Sequence, residues 1–203
     1  MAKEEFKIKD EYILLALDAS YKCTGWSIIR VTNKKPFNIL DKHCEVVEYG
    51  HIPTNSKDIG QSLLDIYNTI QGLYNKYLID YISSEASFMS SNRVTGMRLA
   101  NVHGVLQLIA AMHQTYTIEY SVMTMKSRVL DKVKLKKDDG TKKTGEELKI
   151  EVSNKIKEIF KNTSNLGSEI TLDETDSISA GVTFILMDGL PVEKPKKKSK
   201  KKS

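Results

Sequence analysis

Cysteine is scarce in this 203-residue sequence: only Cys23 and Cys44 occur. Their spacing fits neither a disulfide framework nor a zinc site, so plain thiols in a reducing compartment are expected. No apolar run reaches the ~18 residues that a membrane span needs. Residues 1–10 are charged and lack the apolar core of a secretion signal. A soluble, cytoplasmic protein without a membrane partner is therefore expected. Glycine-rich loops of the kind that cradle nucleotide phosphates are missing, which argues against an ATPase and against a small-molecule cofactor. No internal repeat is found.

What is present is ordinary globular composition, 40% hydrophobic and 28% charged, enough to build a core. The net charge of +5 misleads, because residues 191–203 hold seven lysines and one glutamate and the preceding body is close to −1. A folded domain over residues 1–190 and a disordered lysine-rich tail over 191–203 are expected. The body is not a uniformly basic surface, so its charge has to be read locally.

The hydrophobic pattern predicts an α/β layer fold, a mixed five-stranded sheet covered by helices. Ile13 to Leu17 is a continuous apolar run, suited to a strand buried on both faces. Strands are also predicted from Trp26 and over 44–52, and three antiparallel strands joined by short turns account for this opening. A helix over 62–78, a strand over 80–84, a long helix over 92–113 and a strand over 115–122 follow. Thr144 with Glu147, and Thr171 with Glu174, have capping-box spacing and start two further helices. Residues 131–145 are rich in Lys, Asp and Gly and read as a mobile loop. On the long helix, Gly96, Ala100 and Gly104 share one face. That stripe suits close packing against a second helix or against the helix's own sheet.

Four carboxylates stand out by position. Asp18 ends the first strand and Glu85 the fourth, and strand ends beside a sheet core are a common place for chemistry. Asp173 and Asp176 lie three apart at the start of the last helix, on one helical face, with Ile178, Val182 and Ile185 turned toward the core. Taken singly, Asp18 also suits a turn, Asp173 and Glu174 suit a helix N-terminus, and Glu85 suits an exposed loop. Jointly they suit a divalent cation, because clustered carboxylates repel one another and hard oxygens select Mg²⁺ or Mn²⁺. Helical spacing from Asp176 favours Asp173 over Glu174 as the fourth acid.

Three segments carry a family resemblance: Asp18 with Thr24, Gly25 and Trp26; Glu85 with Phe88 and Asn92, then Asn101 to Gly104; and Asp173 with Asp176 and Ala180. Together they resemble the RuvC family of Holliday junction resolvases, which have the RNase H-like fold. The resemblance implies a homodimeric endonuclease that resolves four-way DNA junctions by symmetric, metal-dependent nicking. It implies Asp18, Glu85, Asp173 and Asp176 as ligands of two Mg²⁺ ions per site, with Mn²⁺ as a substitute. Phe88 corresponds to an aromatic wedge at the junction centre, with a core position as the plain alternative. Lys126 and Lys149 correspond to lysines beside the reacting phosphate, with Lys149 counted among the catalytic groups. Asn92 and Arg93 are expected to touch DNA. The lysine-rich 126–149 segment, longer than the family's, is expected to touch DNA phosphates; the basic tail suits salt-sensitive DNA attraction and equally a localisation signal or low-complexity drift. Both departures suggest a phage- or virus-type member, acting in the bacterial host's cytoplasm. Two other functions fit the same residues: an endonuclease for forks and other branched DNA, or a non-catalytic DNA-binding protein of the same fold.

Overall fold

The computed structural model describes residues 8–32, 43–54, 57–86, 92–131, 133, 135–137, 139–164 and 166–189. Five strands, β1 (Tyr12–Asp18), β2 (Cys23–Val31), β3 (Cys44–Pro53), β4 (Tyr81–Glu85) and β5 (Tyr116–Tyr120), form one sheet in the order β3-β2-β1-β4-β5. The first three are antiparallel neighbours, while β4 pairs parallel with β1 and β5 parallel with β4. This is the mixed five-stranded sheet expected from the sequence. Five helices cover it: α1 (Ile59–Lys76), α2 (Arg93–Met112), α3 (Val122–Val129), α4 (Gly145–Phe160) and α5 (Leu172–Met187).

β1 is central and its alternation feeds two cores. Leu14 and Ala16 join the core beneath α3, α4 and α5, with Ile29, Val152, Ile156, Phe160 and Phe184. Leu15 and Leu17 join the core beneath α1 and α2, with Ile28, Ile66, Ile70, Val102 and Ile109. Burial on both faces is why β1 reads as an unbroken apolar run rather than an alternating one.

The structure departs from the sequence reading in three places. A helix, α3, follows β5 directly, capped by Ser121, whose side chain accepts the Thr124 N–H. The helix at the C-terminal end is buried nearly all round rather than along one stripe. It lies between the sheet and the α3/α4 layer, so its hydroxyls also face protein. The 131–145 segment is more ordered than expected in its described part. Lys136 and Lys142 bridge across a small hairpin, and Lys137 and Lys143 ion-pair with Glu147 and Glu151 of α4. Both capping boxes are formed as predicted.

The Gly96, Ala100 and Gly104 stripe does not pack on its own sheet. Ala100 and Gly104 are exposed, and a Cβ added at Gly104 would meet nothing. Val94, Met97, Leu108 and Met112 of the same helix are also exposed. Among the described residues no helix is long and apolar enough to cross a membrane. Cys23 and Cys44 are free thiols. Phe88 and residues 191–203 lie outside the described residues.

Candidate active site

Strand register builds the site. Asp18 pairs with Gly25 across β1 and β2, and Gly25 pairs with His51 across β2 and β3. On the other side Leu17 pairs with Ser84, which sets Glu85 beside Asp18 at the end of the parallel pair. Directly paired residues share a sheet face. His51, Gly25, Asp18 and Glu85 thus form one row across the sheet, under the first turn of α5.

The helix reaches that row because two glycines let it. A Cβ at Gly25 would overlap the backbone carbonyl of Asp173, and one at Gly181 would overlap the Ile29 side chain. Between these points Ser83 Oγ donates to the Ala180 carbonyl at 2.8 Å. The polar residues of α5 turn inward without penalty, because their hydroxyls bond to the preceding turn of the helix: Thr175 to Leu172, Ser177 to Glu174 and Thr183 to Ser179.

The electrostatics record the crowding. Burial, then Asp176 and Glu85, push the Asp18 carboxyl up to about 8, against the opposing pull of Lys149. Burial and then Asp176 raise Glu85, with Lys149 and Lys126 pulling it back. Burial raises Asp176, partly offset by Lys149 and Lys126. Asp173 acts on Asp18 and Lys149. It also hydrogen-bonds the Cys23 thiol, which burial in the first place and Asp173 in the second push up to about 12. The four sequence-predicted acids therefore share one electrostatic environment. Lys149 Nζ sits 2.6 Å from Asp176 Oδ2, and its ammonium is stabilised by that contact despite partial burial. Of the two lysines singled out in the sequence, Lys149 contacts this cluster and Lys126 acts on it electrostatically.

The remaining expected residues are placed differently. Asn92 is the N-cap of α2, its Oδ1 accepting the Val94 N–H at 3.0 Å and the Thr95 N–H at 3.3 Å. Arg93 opens that helix and is exposed. Glu174, adjacent to the acids in sequence, turns to Thr171 and His51 instead. Burial acts to raise its carboxyl, but hydrogen bonds from the Thr171 backbone and from His51 hold it below the usual range. The sequence reading did not single out His51, and it took Cys23 for a plain thiol rather than a neighbour of Asp173. His51 has no local signal, since only the β2–β3 register, with its irregularity at Ile28/Ile29, brings it opposite Gly25.

Hard oxygen donors, mutual repulsion and a lysine already neutralising Asp176 are the chemistry a divalent cation suits. Among the described residues, however, no three His, Cys, Asp or Glu side chains stand in a ready coordination geometry. Lys149 on Asp176 supplies an ammonium that offsets part of the cluster's charge.

The model of the family "Crossover junction endodeoxyribonuclease RuvC" matches residues 14–183. The chain belongs to the RuvC family. The RuvC of Ehrlichia chaffeensis is 30% identical over 126 residues, which is 62% of this chain and 75% of the relative. That of Alkaliphilus metalliredigens is 29% identical over 119 residues, 58% and 68% of the two chains. Among solved structures, Thermus thermophilus RuvC in complex with Holliday junction substrate superposes with a TM-score of 0.65 at 12% identity, over 85% of this chain and 92% of that one. The yeast mitochondrial Holliday junction resolvase Ydc2 gives 0.55 at 10% identity, over 88% and 81%. At such identities the structures establish the RuvC-type fold, and the family match establishes the membership. The matched span of this RuvC-family chain includes Asp18, Glu85, Asp173 and Asp176.

Proposed function

We propose that this RuvC-family protein is a junction-resolving endonuclease, whose metal site is built from Asp18, Glu85, Asp173 and Asp176. The observation that carries the reading is the row across the sheet. Two carboxylates at neighbouring strand ends, Asp18 buried and Glu85 half-buried, face the acidic first turn of a buried helix, in a chain of the crossover junction endodeoxyribonuclease family. Two Mg²⁺ ions, or Mn²⁺ in their place, would supply an activated water and charge stabilisation for phosphodiester hydrolysis. The chain's own residues supply the rest. Burial of Asp18 and Asp176, each 8% exposed, keeps bulk water from competing for their oxygens. Lys149 compensates the charge of Asp176 and, with the ions bound, would be available to neutralise the scissile phosphate. Lys126, which also acts on Glu85 and Asp176, approaches the same phosphate.

Symmetric nicking of a four-way junction needs two sites related by a two-fold axis. The exposed α2 face supports a homodimer. Met97, Leu108 and Met112 are 69%, 56% and 55% exposed, beside the open Ala100 and Gly104 backbone. Phe88, three residues after Glu85, is proposed as the wedge at the junction centre, and Asn92 and Arg93 as contacts to the DNA near it.

The test is a denaturing gel of end-labelled four-way junction and matching linear duplex, with Mg²⁺, Mn²⁺ or chelator. Paired nicks on the junction alone, abolished by chelator, are expected. Equal cutting of linear duplex would contradict junction resolution. Cutting of forks at the same rate would favour the broader branched-DNA reading.

A further inference from the structure

We propose that His51 is a positioning residue. Through Glu174 it holds the first turn of α5, and with it Asp173 and Asp176, in register with Asp18 and Glu85. This rests on the reading of the four acids as metal ligands.

The need for such a restraint follows from the charges. Asp173 and Asp176 are pressed toward Asp18 and Glu85, and like charges at close range push the helix end away from the sheet. The later turns of α5 are fixed by the apolar core, whereas at its start Ile170, just before the cap, packs against that core only partly buried. The contacts of the first turn itself are largely polar. Thr171 and Glu174 form a reciprocal capping box: Glu174 N–H donates to Thr171 Oγ at 3.2 Å, and Thr171 N–H donates to Glu174 Oε2 at 2.7 Å. A capping box ties a helix end only to itself. The tie to the sheet comes from the second carboxylate oxygen. Glu174 Oε1 lies 2.9 Å from His51 Nδ1, and because a carboxylate only accepts, that nitrogen carries the proton.

Register makes the contact specific. His51, Gly25 and Asp18 are consecutive in the cross-strand row. His51 grips Glu174, the missing side chain of Gly25 lets the Asp173 backbone settle onto the sheet, and Asp18 faces the acids. Glu174 is only 7% exposed, so its orientation is fixed rather than sampled. His51 sits on the edge strand with its side chain 41% exposed, so replacing it disturbs little core. The other capping box provides a contrast within the same chain. Glu147 of α4 also accepts from its cap, Thr144, at 2.8 Å. Its second oxygen, however, pairs with the exposed Lys137 at 2.6 Å, tying α4 to the 136–142 hairpin and to no acid of the site.

The experiment uses the full-length protein as wild type, His51→Ala, His51→Gln and Lys137→Ala. Glutamine keeps a side-chain N–H donor. Mn²⁺ binding is titrated by the loss of free-ion paramagnetic resonance signal. Amide exchange at Glu174 and Thr175 is followed in the metal-free protein, and melting temperature is recorded. A group bonded directly to a metal ligand is worth about 10–100-fold in metal affinity; His51 acts one residue further out, through Glu174, so His51→Ala should need about 10-fold more Mn²⁺ for half-occupancy, the low end of that range. The two amides should also exchange faster, while melting stays within about 2 °C of wild type, as for other exposed sites. His51→Gln should restore both properties, and Lys137→Ala should change neither. Unchanged Mn²⁺ binding in His51→Ala, or glutamine behaving no better than alanine, would overturn the positioning role. Wild type that binds no Mn²⁺ would instead overturn the metal reading beneath it, and the two failures are told apart by the wild-type titration alone.

Discussion

The first turn of α5 presents Asp173, Glu174 and Asp176 to the strand ends. Further along the same helix, Ile178, Val182, Phe184 and Ile185 fill the core beneath the sheet. Both halves are buried, yet burial has opposite consequences in them. For the apolar half it is the source of stability, about 1.5–3 kcal/mol for each large side chain removed from water. For the acidic half it raises the carboxyl of Asp176, as it raises that of Asp18 on the facing strand end, and needs Lys149 as a counter-charge. One element thus holds together a fold and a site that is unfavourable without a cation. Strained or repulsive groups persist only where the surroundings over-determine them. Here the surroundings are the apolar half of the same helix and the glycines that seat it.

Substitutions at the two ends should separate activity from stability. The largest effect is expected from Asp176→Asn, a loss of junction cutting on the order of 1,000-fold, since removing a metal ligand forfeits several kcal/mol of transition-state stabilisation. Junction binding, read by gel shift in chelator, should persist. Next comes Phe184→Ala, which should cost about 3–5 kcal/mol of stability, seen as a drop in melting temperature of roughly 10 °C or more. Cutting per folded molecule should stay near wild type. If the phenylalanine variant lost cutting while keeping its melting temperature, the division of labour along α5 would be wrong.

A smaller effect sharpens the comparison through pH. A carboxyl whose folded pKa is raised, as Asp18 is from the usual carboxylate range to about 8, keeps its proton in the folded state while the unfolded chain gives it up. Between about pH 4 and pH 8 the folded state then binds more protons, and stability falls as pH rises. The metal-free protein should therefore melt progressively lower across that window. Asp18→Asn should flatten the slope and melt higher than wild type at pH 8, by about 1–2 kcal/mol in stability. The variant should match wild type near pH 4. A metal-free wild type that gains stability across the window would contradict the electrostatics of the row. The smallest effect is expected from Thr171→Ala, about 1 kcal/mol from the lost cap, with no change in the pH slope.

Much of this was legible in the sequence because it depends on local pattern. β1 reads as buried on both faces because it is. Asp18 ends a strand where an apolar run ends, Glu85 closes the short strand after Ser83 and Ser84, and Thr171 with Glu174 marks the start of α5 by spacing alone. α3 was missed because it is only eight residues long and buries only Met125 and Val129, while Met123 faces solvent. The all-round burial of α5 was missed because Thr175, Ser177, Ser179 and Thr183 look like a polar face. The hydroxyls of Thr175, Ser177 and Thr183 are satisfied within the helix, which hides their burial from any hydropathy pattern. For the α2 stripe the sequence left two packings open, and the exposure of Ala100 and Gly104 removes the one against its own sheet. His51 and Gly25 meet the acids only through strand register and a ladder irregularity, information that no single segment carries.

The most direct test of the central claim is anomalous diffraction from a crystal of the wild-type protein soaked in Mn²⁺, with Asp176→Asn soaked in parallel. The account predicts anomalous density among Asp18, Glu85, Asp173 and Asp176 in the wild type, with Lys149 moved off Asp176, and loss of that density in the variant. Mn²⁺ bound elsewhere, or bound equally in the variant with Lys149 unmoved, would contradict it.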